Sequence, residues 1–369
     1  MSVSPDRPLS VVLLGYGLGG RVFHAPLIRA VPGLSLDGIV TSDADRQLQA
    51  RAAHPGAAIY DTADAAWAGD HDLAVISTAN VTHVPLTEAA LGNGLHVVID
   101  KPMAPSAPVA QLLARRAESM GLRIIPFQNR RWDSDFRTAL QVARDGSIGT
   151  VHRFESNIQR MRVVPKPGWR NSTDPADMGG MLYDLGAHLV DQALLLMGPV
   201  VRVSATVRSV RVSGGTDDDV LIELDHESGA VSQLAASQIG AFDTPRLTLL
   251  GTRGGLRIDA SDTQEPELAA GHDPAEPDWG REPATSAALL RTNDDANALT
   301  EERVPLARGE WPAFYLGVER ALRGSAEPPV AVDDVIANLR VLDAAREAGL
   351  SGSSVRLDPP AGHRASSMS

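Results

Sequence analysis

Val11-Val12-Leu13-Leu14-Gly15-Tyr16-Gly17-Leu18-Gly19-Gly20 decides how the rest of the chain is read. An apolar run of strand length enters a turn with glycines at 15, 17 and 20, and Arg21 to Ala30 reads as the start of a helix. Gly15 permits a tight turn. Gly17 lets the backbone approach a pyrophosphate, and Gly20 lets the helix lie close to the strand. Phosphates would then meet free amides at the helix N-terminus. Leu18, inside the same turn, joins the three glycines as a cofactor-contacting candidate. The glycine spacing alone is a weak signal. The strand before it and the helix after it favour dinucleotide binding over a bland turn.

Outward from the turn, strand and helix patterns alternate. Leu34 to Thr41, Leu73 to Thr78, Leu95 to Ile99 and Arg123 to Pro126 read as strands. Ala44 to Ala53, Val84 to Leu91 and Val109 to Met120 read as helices. Such alternation implies right-handed βαβ units and a parallel sheet, with ligands at the strand C-termini. Near residue 150 the pattern changes. Val200 to Val212, Val220 to Leu224, Ala230 to Ser237, Arg246 to Leu250 and Gly255 to Ile258 read as strands separated by glycine-rich turns, the mark of a largely antiparallel sheet. A helix over Met181 to Met197 precedes them, Glu265 to Pro283 reads as a long loop, and helices over Trp311 to Leu322 and Asp333 to Ala348 follow. The expected fold class is therefore α/β. Residues 1–148 form a doubly wound parallel sheet of Rossmann type. Residues 149–358 form an α+β domain with a large open, mainly antiparallel sheet for substrate binding and oligomerisation, and 359–369 form a flexible tail.

Composition narrows the function. The chain has 369 residues, enough for two domains, and no cysteine, which removes disulfides, thiolate nucleophiles and cysteine-ligated metals. Its net charge of -12 argues against nucleic acid as a partner. No apolar run reaches membrane-spanning length, and Met1 to Pro8 lacks a signal-peptide core, so a cytoplasmic location is expected.

Two groups of residues carry chemistry. Asp100-Lys101-Pro102 follows the strand ending at Ile99, and the proline holds the lysine in one place at the ligand edge of the sheet. A lysine there can hydrogen-bond a substrate hydroxyl and favour its alkoxide; a solvated surface lysine is the plain alternative. In Gly179-Gly180-Met181-Leu182-Tyr183-Asp184-Leu185-Gly186-Ala187-His188-Leu189-Val190-Asp191, helical spacing puts Asp184, His188 and Asp191 on one face among leucines. A polar stripe on an apolar helix is costly unless it has a task. His188 suits proton acceptance near neutral pH, and Asp184 could orient it or contact substrate hydroxyls. A satisfied core histidine, a helix-dipole acid and a metal site are the competing readings; no metal is expected.

Gly15–Gly20, Ser77-Thr78-Ala79-Asn80, Asp100-Lys101-Pro102, Trp169-Arg170 and Asp184-x-x-x-His188-x-x-Asp191 stand in the order and spacing of the glucose–fructose oxidoreductase / inositol dehydrogenase / rhizopine-catabolism family, which this chain resembles over nearly its whole length. Phe23-His24-Ala25-Pro26-Leu27-Ile28 and Gln128-Asn129-Arg130-Arg131-Trp132-Asp133-Ser134-Asp135-Phe136 resemble the branch containing NADP-dependent scyllo-inositol dehydrogenases. The resemblance implies proton transfer by Lys101 and His188, with Asp184 as substrate or orienting partner. It implies cofactor contacts from Thr78, Asn80, His83, Asp100, Lys101 and Asn129, the last facing either nicotinamide or substrate, and substrate contacts from Trp169, Arg170, Tyr183, Asp184 and His188, with a buried structural Trp169 as the plain alternative. Asp100 stands where the family usually has Glu, with shorter reach but the same charge. Ala79 stands where it usually has Pro, which implies a less rigid loop.

Cofactor choice turns on Val40-Thr41-Ser42-Asp43-Ala44-Asp45-Arg46. With Ser42 at the end of the second strand, Ser42 and Arg46 suit a 2′-phosphate, which arginine grips with two hydrogen bonds. With Asp43 there, the acid would repel that phosphate and favour NAD. The reading leans to NADP. The expected reaction moves a hydride between the nicotinamide and a polyol, inositol or sugar held between the domains. A cofactor-binding regulator without chemistry, an NAD-dependent glycoside hydrolase and a biliverdin-reductase-like enzyme are the alternatives. A homodimer or homotetramer through the C-terminal sheet is expected.

Overall fold

The computed structural model describes residues 7–165, 171–294 and 298–358. The strands in chain order are β1 Leu9–Leu14, β2 Leu34–Val40, β3 Ala58–Tyr60, β4 Leu73–Ile76, β5 His96–Ile99, β6 Ile124–Pro126, β7 Val151–Gln159, β8 Val200–Arg208, β9 Asp219–His226, β10 Val231–Ser237, β11 Leu247–Gly251, β12 Gly254–Ile258, β13 Ala288–Asn293, β14 Leu299–Val304 and β15 Val355–Arg356. The α-helices are α1 Ala25–Arg29, α2 Ala44–Ala53, α3 Ala63–Ala66, α4 His83–Gly92, α5 Ala107–Ser119, α6 Ser134–Asp145, α7 Ala187–Met197, α8 Gln264–Ala270, α9 Pro312–Leu322 and α10 Val332–Ser351. The expected tail at 359–369 lies outside the described residues.

Two compact units result, each built from separated runs of chain. One takes the part up to Ser134 with Asp262–Glu282 and Arg308–Val335; the other takes Asp135–Ser261, Pro283–Ala307 and the part from Ile336. In the first, β3-β2-β1-β4-β5-β6 form a sheet whose pairs are all parallel. Every residue of β1 and of β4 is buried, as expected of central parallel strands covered on both faces. Helix starts follow local chemistry: the Asp43 carboxylate accepts from the Arg46 amide at 3.0 Å and opens α2, and Thr62 does the same for α3.

In the second unit nine strands run in the order β14-β13-β12-β11-β7-β10-β9-β8-β15. All neighbours are antiparallel except β7 and β10, so the sheet is mixed but mostly antiparallel. Along β9 every second residue is buried, and α7 packs against β7 and β10. Arg246, 2% exposed, fixes the layers: it pairs with Asp135 at 3.1 Å and donates to Ser156 Oγ at 2.6 Å and Gln192 Oε1 at 3.1 Å. A buried charge is tolerable only with such a full set of partners.

Three local expectations are corrected. Glu265 to Pro283 is not wholly loop, because α8 occupies its start. Pro266 falls in the first helical turn, where a missing N–H costs nothing, Leu268 is buried, and Gly271 at φ 85° ends the helix. Strand β8 stops at Arg208 rather than Val212, because the Asp218 carboxylate gathers the amides of Val210 and Arg211 at 2.8 and 3.1 Å into a loop. The helix expected from Met181 begins as a π-helical turn, Leu182–Gly186, before α7.

Candidate functional site

The glycine turn has three distinct steric demands. Gly15 has φ 95°, and a Cβ there would lie 2.2 Å from the Ser77 carbonyl oxygen. A Cβ on Gly20 would lie 1.9 Å from the Gly15 carbonyl oxygen, so the helix can approach β1 only without a side chain. A Cβ on Gly17 would meet only the Arg46 guanidinium, at 3.8 Å, so Gly17 leaves an open cradle above the turn. Leu18 is 56% exposed beside it. After the turn, Gly19–His24 forms a π-helical segment ahead of α1. A small cradle at a helix start, on the first strand of a doubly wound sheet, fits a dinucleotide pyrophosphate.

Beyond the turn, β2 ends at Val40 and Ser42 is exposed. Asp43 is spent as the cap of α2, and its carboxylate also lies 3.7 Å from Arg46 Nε. Arg46 thus faces both the α2 cap and the Gly17 cradle.

The loops after β4, β5 and β6 converge at the same sheet edge. Thr78 Oγ1 donates to Thr82 Oγ1 at 2.6 Å, and Thr82 Oγ1 donates to the Ala79 carbonyl at 2.7 Å, a clasp that holds the turn where Ala79 replaces proline. Asn80 and Asn129 are buried, at 4% and 7% exposure. Lys101, half-buried, is joined to Pro102 by a cis peptide bond. His83, wholly buried on α4, donates from Nδ1 to the Pro102 carbonyl at 2.9 Å and ties α4 to the lysine loop. Burial pushes the His83 imidazole down in pKa, against that hydrogen bond and the Asp100 charge, so the ring stays neutral with its proton on Nδ1.

Asp100 receives a hydrogen bond on Oδ2 from Ser77 Oγ at 2.7 Å. His24 Nε2 faces the same oxygen at 3.3 Å. Burial alone would raise the Asp100 carboxyl, but the His24 charge and the Ser77 hydroxyl outweigh it and hold it down at about 2. Sequence reasoning used His24 only as a branch marker and did not place Gly19, Ser77 or Tyr315 in the site. A Cβ on Gly19 would lie 2.5 Å from Ser77 Oγ and 3.2 Å from Asp100 Oδ2, so the glycine turn and this carboxylate are directly adjacent.

In the second unit, Tyr183 and Asp184 belong to the π-helical turn, and His188 and Asp191 follow on α7. His188 and Asp191 are 5% and 3% exposed, Tyr183 is 7% exposed, and Asp184 is half-buried. The regular spacing expected from Asp184 to His188 is therefore broken by the wider π turn, a distortion that recurs at functional sites. Burial pushes the Tyr183 phenol up in pKa. Trp169 and Arg170, expected at the substrate, lie outside the described residues.

One acid near this helix was not anticipated. Asp217 Oδ2 accepts from the Leu182 amide at 2.8 Å, and the Asp217 carbonyl accepts from the Met181 amide at 3.1 Å. Burial, against the hydrogen bond from Leu182, raises its carboxyl to about 6. A raised acid favours the folded state while protonated; that contribution is complete below the ordinary value near 3.8 and is lost as pH rises through about 6. Asp217→Asn, neutral at every pH, should match the wild type below about pH 4 and gain roughly 2 kcal/mol on it above about pH 6. Paired thermal melts across that range check this; a difference independent of pH would contradict it.

Comparisons with known proteins agree with this architecture. Residues 9–127 match the oxidoreductase family with an NAD-binding Rossmann fold, and residues 136–257 match the GFO/IDH/MocA C-terminal domain. The uncharacterised oxidoreductase YdgJ of Escherichia coli is 33% identical over 336 residues, covering 91% of this chain and 94% of its own. The scyllo-inositol 2-dehydrogenase (NADP(+)) IolW of Bacillus subtilis is 29% identical over 351 residues, covering 95% and 96%. The solved structure of YPO2259 from Yersinia pestis is 33% identical, with a TM-score of 0.89 and coverage of 96% and 98%. The chain belongs to the GFO/IDH/MocA oxidoreductase family, with an NAD-binding Rossmann domain built on the Gly15–Gly20 turn.

Proposed function

We propose that the protein moves a hydride between NADP(H) and a ring or chain hydroxyl of a polyol, with an inositol as the first candidate. The observation that carries this reading is the convergence of the Gly17 cradle, Asp100 and Lys101 at one edge of the parallel sheet. The similarity to IolW, named as a scyllo-inositol dehydrogenase, supports the substrate class. Bound nicotinamide supplies the hydride acceptor or donor. Lys101 hydrogen-bonds the substrate oxygen and favours the alkoxide, His188 takes the hydroxyl proton, and Asp184 orients the imidazole or the substrate. Tyr183, Trp169 and Arg170 complete the substrate contacts. Reduction of NADP⁺ by scyllo-inositol tests the substrate. Activity with other polyols but none with scyllo-inositol would move the specificity, and activity with none would remove the dehydrogenase reading.

NADP preference is supported by Asp43, whose carboxylate is engaged by the Arg46 amide, and by Arg46, whose guanidinium lies beside the cradle. Arg46→Ala should weaken NADPH about tenfold or more, the loss of one charged hydrogen-bonding group, and leave NADH within about twofold. Equal weakening of both would contradict the assignment.

We further propose a homo-oligomer formed through the open face of the nine-stranded sheet. That face holds a shallow depression of about 500 Å³ lined in part by Ala205, Leu221, Ala235 and Glu223, and Leu221 is 51% exposed. The lining is mixed: small side chains such as Ser204, Ala205 and Ala235 permit close approach of a second sheet, and Glu155, Glu223 and Gln233 offer it polar contacts. A sedimenting mass of one chain at micromolar concentration would contradict this.

A further inference from the structure

His24 is buried at 0% exposure, at the end of the π-helical segment that leaves the glycine turn. Its ring sits 4.3 Å from the Phe127 ring and edge-on to Tyr315. A fully buried imidazole is costly unless both nitrogens meet partners. Here Nδ1 lies 2.6 Å from the Tyr315 hydroxyl, and Nε2, which has no aligned hydrogen bond, meets Asp100 Oδ2 only at ion-pair distance, 3.3 Å. Tyr315, also 0% exposed, comes from α9, which packs on α1. Burial, and then the Asp100 charge, pushes its phenol well above the usual range, so the hydroxyl keeps its proton. The neutral ring with its proton on Nε2, and the charged ring, both put an N–H beside the carboxylate.

The chain Tyr315–His24–Asp100 therefore ends on a carboxylate whose side chain is still 25% exposed, and Ser77 fixes the same oxygen from the loop after β4. In a doubly wound sheet the first three strands serve one mononucleotide and the second three the other. Asp100 and Lys101 follow β5, and Asn129 follows β6, which assigns them to the nicotinamide half. We propose that His24 and Tyr315 are positioning residues that fix the Asp100 carboxylate, and the adjoining Lys101, toward the nicotinamide half of the cofactor. This rests on the reading of the Asp100–Lys101 loop as the nicotinamide edge, and not on any particular substrate.

The competing account is a core histidine and tyrosine that only add stability. A double-mutant cycle separates the two. NADPH is compared with adenosine 2′,5′-bisphosphate, which lacks the nicotinamide; NADH and ADP replace them if that is the pair bound. Tyr315→Phe removes one hydroxyl, His24→Gln keeps a polar group, and Asp100→Asn removes the charge. The two network variants should each weaken the reduced cofactor by about tenfold and leave the adenine-half probe within about twofold. In the Asp100→Asn background neither should weaken it further. Equal loss for both probes, multiplicative losses in the double variants, or no loss at all would overturn the proposal. Should His24→Gln fail to fold, Tyr315→Phe alone carries the cycle. Neither measurement needs turnover, so an absence of polyol dehydrogenase activity would refute the proposed function and leave this result readable.

Discussion

Lys101→Ala is expected to lower turnover by about a thousandfold, roughly 4 kcal/mol of barrier, while the cofactor dissociation constant stays within about threefold. The loop that carries the lysine is held by other groups: Pro102 follows it, and His83 Nδ1 donates to the Pro102 carbonyl at 2.9 Å. Truncating the side chain therefore removes the ammonium without releasing the loop. What is lost is the positive group beside the substrate oxygen, where negative charge grows as the proton leaves. An interaction that strengthens toward the transition state appears in kcat more than in binding. Steady-state rates and a cofactor titration on the same preparation check the split. Unchanged turnover would sink the assignment of Lys101, and a matching loss of cofactor affinity would make it a binding residue.

Gly17→Ala and Gly20→Ala should fail in opposite ways. At Gly20 the new methyl would lie 1.9 Å from the Gly15 carbonyl oxygen, and backbone cannot swing aside as a side chain can. The strand and helix must separate, at a cost of about 3 kcal/mol or more, which thermal melting reads directly. At Gly17 the nearest atom is an Arg46 nitrogen at 3.8 Å, so the fold accepts the methyl. The methyl then occupies the space proposed for the pyrophosphate, and cofactor affinity should fall more than tenfold, above about 1.4 kcal/mol, at nearly unchanged stability. Destabilisation of Gly17→Ala to the extent of Gly20→Ala would contradict the cradle.

The parallel sheet was legible because its signals are local. Each central strand is a short apolar run, and α2 announces its start through Asp43 and its range matches the expected Ala44 to Ala53. The elements that escaped are polar or brief. Strand β7, VHRFESNIQ, has only Phe154 and Ser156 buried, so it lacks a clean apolar alternation. Strand β14, LTEERV, is almost wholly exposed, and the side chains that join it to β13 are polar, Glu301 with Arg291 and Thr300 with Thr292. At the site, the glycines and the Asp100-Lys101-Pro102 loop declare themselves by spacing. His24 does not, since its partner Tyr315 is 291 residues away and nothing near either in sequence links them. Asp217 was hidden for a similar reason: one acid in the run Asp217-Asp218-Asp219, it differs from its neighbours only because folding brings it onto the Leu182 amide. Spacing also gave no sign of the π turn Leu182–Gly186 that carries Asp184 ahead of α7, because the sequence holds no plain mark of it.

The most direct test of the central claim is the fate of a labelled hydrogen. The protein is incubated with NADP⁺ and polyols deuterated at their hydroxyl-bearing carbons, and the reduced cofactor is recovered for mass analysis. Direct hydride transfer predicts NADPH that carries the substrate's deuterium, formed in step with a keto product and lost in Lys101→Ala. Recovery of unreduced cofactor from a protein that binds it, or release of a free sugar from a glycoside with no net reduction, would contradict the account.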